Sequence, residues 1–199
     1  MRLRLYALYI LIIVFLLVSS LPCFAWLYDG GIPQRLGAPI GGDSVLVAAP
    51  FTVASDSYAT SFGAVLARGY GTTGGSIKVL LTQSTQGLPG SAIDEWTIIP
   101  ADSAFTYYYV SPAKPVLLRA NLSYALVFKS NTSGFTGVIS YSPQGYYGWN
   151  SNDSGISWNR MAFPLCVRVD GSVVPEPVSI TALMLGLIGT SILRRRSRI

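Results

Sequence analysis

Apolar residues follow three regimes along this chain. Residues 5–18 and 178–193 are almost continuously apolar, while the segment between them alternates in short runs broken by Gly, Pro, Asn and Ser. In 76–83, Ile77, Val79 and Leu81 point one way and Ser76, Lys78, Leu80 and Thr82 the other, the period of a half-buried strand. Runs rich in Val, Ile, Thr, Tyr and Phe predict strands at 44–53, 59–67, 76–83, 95–100, 104–110, 116–120, 124–129, 136–141 and 161–170. Turn chemistry separates them at Gly74-Gly75, at Gly87-Leu88-Pro89-Gly90, at 131–134 and at 152–155. No sustained 3.6-residue apolar period with caps occurs between Trp26 and Ser172. The pattern predicts an all-β fold, an antiparallel β-sandwich of jelly-roll type.

The two ends read differently. Arg2 and Arg4 precede the first apolar run, and Cys23-Phe24-Ala25 places small residues at −3 and −1 of a cleavage before Trp26. This is a secretory signal peptide over 1–25, in competition with an uncleaved N-terminal anchor. A lipid-modified Cys23 fits less well, because Pro22 stands where a small, unbranched residue is wanted.

The C-terminal end carries Val174-Pro175-Glu176-Pro177, then the apolar run 178–193, then Arg194, Arg195, Arg196 and Arg198. As a helix that run is about 24 Å long, somewhat short of the ~30 Å hydrocarbon core, and snorkelling arginines can close the gap. The arginines keep this tail cytoplasmic and the middle of the chain outside. Composition alone describes a plain tail anchor.

The three elements in this order resemble the PEP-CTERM sorting signal of Gram-negative bacteria, over roughly the last tenth of the chain. The resemblance implies recognition of Pro175, Glu176 and Pro177 by an exosortase, a membrane-embedded cysteine protease or transpeptidase. Prolines flanking Glu176 favour an extended backbone there, which suits presentation to such an enzyme. The expected organisation is a signal peptide at 1–25, a β-sandwich at 26–172 and a sorting signal at 173–199. The resemblance further implies export through the inner membrane, transient anchoring, and a final place at the cell surface or in the matrix of an exopolysaccharide-producing, biofilm-forming bacterium.

Net charge invites a nucleic-acid reading until the ends are set aside. The whole chain has 14 Lys and Arg against 9 Asp and Glu, a net +5. Six of the arginines lie in the two end segments, and Glu176 in the sorting motif, leaving eight of each sign between Trp26 and Ser172. A neutral domain has no electrostatic footprint for phosphate, so nucleic acid is not an expected partner. Cys166 is the only cysteine after signal cleavage, which excludes an intramolecular disulfide and suggests a buried small hydrophobe. The sequons at Asn121, Asn131 and Asn152 are read as accidents of Ser- and Asn-rich loops.

Catalytic chemistry has little to draw on. The chain has no histidine, which removes His-based triads and most zinc sites, and no catalytic residue or cofactor is expected. Asp94 and Glu95 are adjacent, would face opposite ways on a strand, and read as solvated turn charges, leaving only a divergent hydrolase as a third functional class. Residues 150–155 lack the Glu an EF-hand loop needs, where Met161 stands, and no metal is expected.

Binding has more. Tyr146-Tyr147-Gly148-Trp149-Asn150 and Trp158-Asn159-Arg160 form the densest aromatic and polar cluster. Tyr146, Tyr147, Trp149 and Trp158 could stack on sugar rings while Asn150 bonds hydroxyls, or the tryptophans could simply cover the end of the sandwich under a long loop. Tyr107 and Tyr109 should share one strand face, with Tyr108 on the other.

The order of a strand pair, Ser84-Thr-Gln-Gly-Leu-Pro-Gly90, residues 121–128 and a Gly/Trp/Tyr-rich stretch to Trp158 resembles the choice-of-anchor β-sandwich surface proteins. The expectation is a secreted structural or adhesive protein of the surface or matrix; the alternative is a carbohydrate-binding module. Expected partners are signal peptidase, exosortase, transiently the membrane, and extracellular polysaccharide.

Overall fold

The computed structural model describes residues 25–41, 45–69, 74–86, 88–101, 103–132 and 134–174. The expected signal peptide, the sorting motif Pro175, Glu176 and Pro177, the apolar span, and Arg194, Arg195, Arg196 and Arg198 lie outside the described residues, apart from Ala25 at the edge. Among the described residues thirteen strands form: β1 (Ala25–Asp29), β2 (Gly37–Gly41), β3 (Leu46–Thr52), β4 (Ser57–Arg68), β5 (Ile77–Thr85), β6 (Leu88–Ile98), β7 (Thr106–Val110), β8 (Val116–Leu118), β9 (Ser123–Ser130), β10 (Thr136–Ser140), β11 (Tyr147–Ser151), β12 (Asn159–Pro164) and β13 (Val167–Val173). No helix among these residues is long and apolar enough to cross a membrane.

All pairings between these strands are antiparallel. One sheet runs β1-β13-β4-β10-β2, with β7 and β8 also paired to β4; the other runs β12-β11-β3-β9-β5-β6. A single core joins them. Phe51, Leu81, Leu126 and Phe128 come from the six-stranded sheet, and Phe62, Leu66, Ile139 and Val169 from the seven-stranded one. The expected alternation holds in β5 from Ile77 to Leu81, where Ile77, Val79 and Leu81 are buried and Lys78 and Leu80 are partly open. It breaks at Thr82, expected outward but buried, where the β5–β6 register shifts.

Four departures have physical reasons. The run expected as one strand at 161–170 is two, β12 and β13, in different sheets. The chain crosses between them at Leu165 and Cys166, where the Cys166 N–H donates to the Ser140 carbonyl and Leu165 bridges Tyr141. Residues Pro164 to Val167 are all buried, so hydrophobicity does not dip at the crossing. β2 is short and rich in Gly and Pro, and it stands at a sheet edge, where Pro39 can lack a donor.

β11 is a strand where a loop was expected. Asp94 and Glu95, expected as turn charges, sit within β6, which begins at Leu88 directly after a tight hairpin with Gln86 at φ 55°. Glu95 pairs with Lys78 across the strands at 3.0 Å.

Cys166 is buried with its thiol donating to the Gly31 carbonyl at 3.2 Å, and burial raises its pKa above the ordinary thiol value. The chain enters on β1 and leaves on β13 side by side, with Ala25 opposite Gly171 and Trp26 opposite Asp170. The last described amide, of Val174, donates to the Asp56 carbonyl at 2.7 Å.

Neighbouring positions on β9 should separate core from surface. Phe128→Ala removes a fully buried ring and should cost about 3–5 kcal/mol, whereas the outward Lys129→Ala should stay within about 0.5 kcal/mol. Urea unfolding midpoints of the two variants check this.

Candidate functional site

The aromatic cluster is built on the β3–β11–β12 end of the six-stranded sheet. On β3, Val47, Ala49 and Phe51 enter the core, so Ala48, Pro50 and Thr52 face outward. Trp149 lies opposite Ala48 on one side and Arg160 on the other. Tyr147, two residues before Trp149, faces the same way. Between them Gly148 turns inward, where a Cβ would stand 2.8 Å from Leu165 Cδ1. Thr52 is opposite Ser123 of β9.

Tyr146 closes the arrangement. Its ring stacks on Tyr28 at 6.2 Å, its hydroxyl shares a 2.9 Å hydrogen bond with Thr52 Oγ1, and its N–H donates to the Tyr28 hydroxyl. Tyr28 packs in turn on Phe51 at 5.7 Å. Burial holds the Tyr28 hydroxyl above the ordinary tyrosine pKa, so it stays neutral and hydrogen-bonding. The Arg160 guanidinium lies 4.3 Å from the Tyr147 ring centroid, a cation–π contact, and makes no hydrogen bond or ion pair with any described residue.

These groups enclose a hollow of about 480 Å³. Tyr146, Tyr147 and Trp149 supply its aromatic wall and Arg160 its charge, and Pro50, Phe51, Thr52, Ser123 and Gly145 complete the lining. No Asp or Glu is among them.

Of the five candidate glycan contacts, the structure brings Tyr146, Tyr147 and Trp149 together. Asn150 does not line the hollow: it sits opposite the inward Val47. Trp158 does not line it either, and lies in the 152–158 loop beside Gly155. Both tryptophans are half-buried. Sequence reasoning missed Thr52 and Ser123, whose meeting depends on the β3–β9 register. Arg160 stood inside the quoted cluster, but its place over Tyr147 follows from the β11–β12 pairing.

The loop carrying Trp158 is tied by Asp153. Its carboxylate accepts from the Ser157 hydroxyl at 2.5 Å, the Ser157 N–H at 2.9 Å and the Ser151 hydroxyl at 2.7 Å. These bonds, Ser157's first, lower its pKa to about 2. Asp153 is thereby committed to holding the turn. Among the described residues no group of three or more His, Cys, Asp or Glu could hold a metal.

A second aromatic group occupies the outer face of the seven-stranded sheet. Tyr107 and Tyr109 stack there at 5.8 Å while Tyr108 packs on the core, the alternation expected of β7. Arg168 stacks on the Trp26 ring at 4.1 Å and bonds Asp29 at 3.2 Å and the Tyr109 hydroxyl at 3.3 Å. A Cβ on Gly63 would lie 2.5 Å from the Tyr109 ring, so this glycine makes room for it. Unlike Arg160, Arg168 is engaged on several sides.

No protein-family model and no curated protein matches the chain.

Asp153 yields a pH prediction. Its folded pKa is depressed, so its contribution is present above the unfolded value near 4 and is lost as pH falls toward about 2. Amide exchange at Gly155 and Ser157 should accelerate across that window relative to other loops. Asp153→Asn should show fast exchange at neutral pH with no such step.

Proposed function

We propose that this is an exported β-sandwich protein with an adhesive role at the cell surface or in the extracellular matrix, contacting polysaccharide through the hollow at Tyr146, Tyr147 and Trp149. One observation carries the reading: three aromatic rings, open hydroxyls and a guanidinium converge around a single concave surface. Pyranose rings present apolar C–H faces and a rim of hydroxyls, which aromatic faces and polar side chains complement. A hollow of about 480 Å³ falls in the ordinary range for small-ligand sites. The platform is pre-organised, because Tyr146 is bound to Thr52 and stacked on the Tyr28–Phe51 pair. Glycoside hydrolysis generally needs two flanking carboxylates, and the lining supplies none, so the reading is binding.

The export half of the proposal rests on the terminal segments. The signal-like 1–25 and the Pro175-Glu176-Pro177, apolar and Arg-rich elements support processing by signal peptidase and an exosortase. Adjacent entry and exit on β1 and β13 suit a domain tethered at one end before release. The jelly-roll description belongs to the same proposal; repeated crossings between sheets, as at β3 to β4, β4 to β5 and β12 to β13, support it.

Two experiments test these halves. With the full chain in non-ionic detergent, Trp149→Ala and Tyr147→Ala should lower affinity for bacterial exopolysaccharide at least about tenfold, while Trp158→Ala leaves it unchanged. No retention of the wild type by any of a panel of neutral and acidic polymers sinks the glycan reading. Co-expressed with an exosortase, the chain should lose its arginine tail by intact mass, and Pro175→Ala or Glu176→Ala should block that loss. A tail retained in the unaltered chain refutes the sorting half.

A further inference from the structure

We infer that the hollow selects a carboxylate-bearing polysaccharide of the uronic-acid type, with Arg160 reading the carboxylate. The inference rests on the glycan reading above and narrows it to a substrate class.

Among the described residues Arg160 is the only charged group lining the hollow. Its guanidinium is held 4.3 Å from the Tyr147 centroid with its N–H donors unclaimed by any described residue. A planar guanidinium seated on a ring presents a fixed fork, matched to the two oxygens of a carboxylate. A carboxylate entering there finds no competing Asp or Glu among the described lining residues. Ser123, opposite Thr52 across the β3–β9 ladder, adds a hydroxyl at the rim. A neutral sugar would satisfy the aromatic wall and leave the guanidinium to water.

The other stacked arginine sharpens the contrast. Arg168 also lies on aromatic rings, but its Nη1 and Nη2 bond Tyr109 and Asp29, leaving only the buried Nε without a partner among the described residues. Its charge is compensated within the fold; that of Arg160 is not. The balance of eight cations and eight anions between Trp26 and Ser172 means that the domain as a whole does not attract polyanions. Selectivity for an acidic chain then falls to the local group.

Polygalacturonate and its methyl ester share a backbone and differ in charge, so they isolate the carboxylate. The full chain in non-ionic detergent should bind polygalacturonate about tenfold more tightly than the ester. Arg160→Gln should bring the two affinities together, Arg160→Lys should retain part of the difference, and Trp149→Ala should weaken both. The Arg-rich ends are unchanged in these variants, so any difference belongs to the hollow, and equal unfolding midpoints confirm intact folding. Equal wild-type binding to acid and ester, or a preference that survives Arg160→Gln, overturns the inference while the glycan reading stands. Dextran sulfate bound as tightly as polygalacturonate and unaffected by Trp149→Ala also overturns it, as simple polyelectrolyte adsorption. Absence of binding to these polymers and to the neutral panel overturns both readings.

Discussion

Phe51 ties the core to the candidate site. Its ring is fully buried and touches Tyr124 of its neighbouring strand at 5.8 Å and Tyr28 of the opposite sheet at 5.7 Å. Tyr28 then carries Tyr146 by stacking and by accepting its N–H, and Thr52, the next residue after Phe51, fixes the Tyr146 hydroxyl. The aromatic wall is thus continuous with hydrophobic packing between the sheets. Tyr146 owes its position to these contacts, although its ring and that of Tyr147 remain about half exposed.

Side-chain alternation was legible in the sequence wherever one face of a strand is buried and the other is open. β5 and the Tyr107–Tyr109 run are such cases, since period two follows directly from strand geometry. It failed at Leu165 and Cys166, where a crossing between sheets is buried on both sides and the apolar run continues unbroken. It failed again at β11, because Tyr, Gly, Trp and Asn serve turns and ligand loops as well as strands. Tyr146, Tyr147 and Trp149 could be recognised as a group because they are adjacent in the chain. Thr52 and Ser123 join them only through a strand pairing that no local pattern encodes.

Trp158 and Asn150 show the limit of reading a composition-rich segment as one site. Asp153 gathers three hydrogen bonds from Ser151 and Ser157, and the turn it makes holds the chain between Asn150 and Trp158 in a closed loop. Asn150 and Trp158 were grouped with the candidate contacts because they lie in the same aromatic and polar stretch of the sequence. In the fold the polar groups satisfy one another, as groups at a tight turn ordinarily do. Trp158 stays with that turn, and Asn150 is directed away from the hollow by the alternation of β11.

Two arginines on opposite outer faces then separate stabilisation from recognition. Each lies over an aromatic ring, an arrangement common enough on protein surfaces to need no ligand. What differs is the remainder of the guanidinium's hydrogen-bonding capacity. Arg168 uses its two terminal nitrogens on Asp29 and Tyr109, joining β1, β7 and β13, and so contributes to sheet cohesion, while its buried Nε has no partner among the described residues. Arg160 sits on the edge strand β12 with that capacity open, beside a concavity lined by rings and hydroxyls. Arg160 cross-links nothing among the described residues, and its open donors are what the inferred selectivity for an acidic polysaccharide rests on.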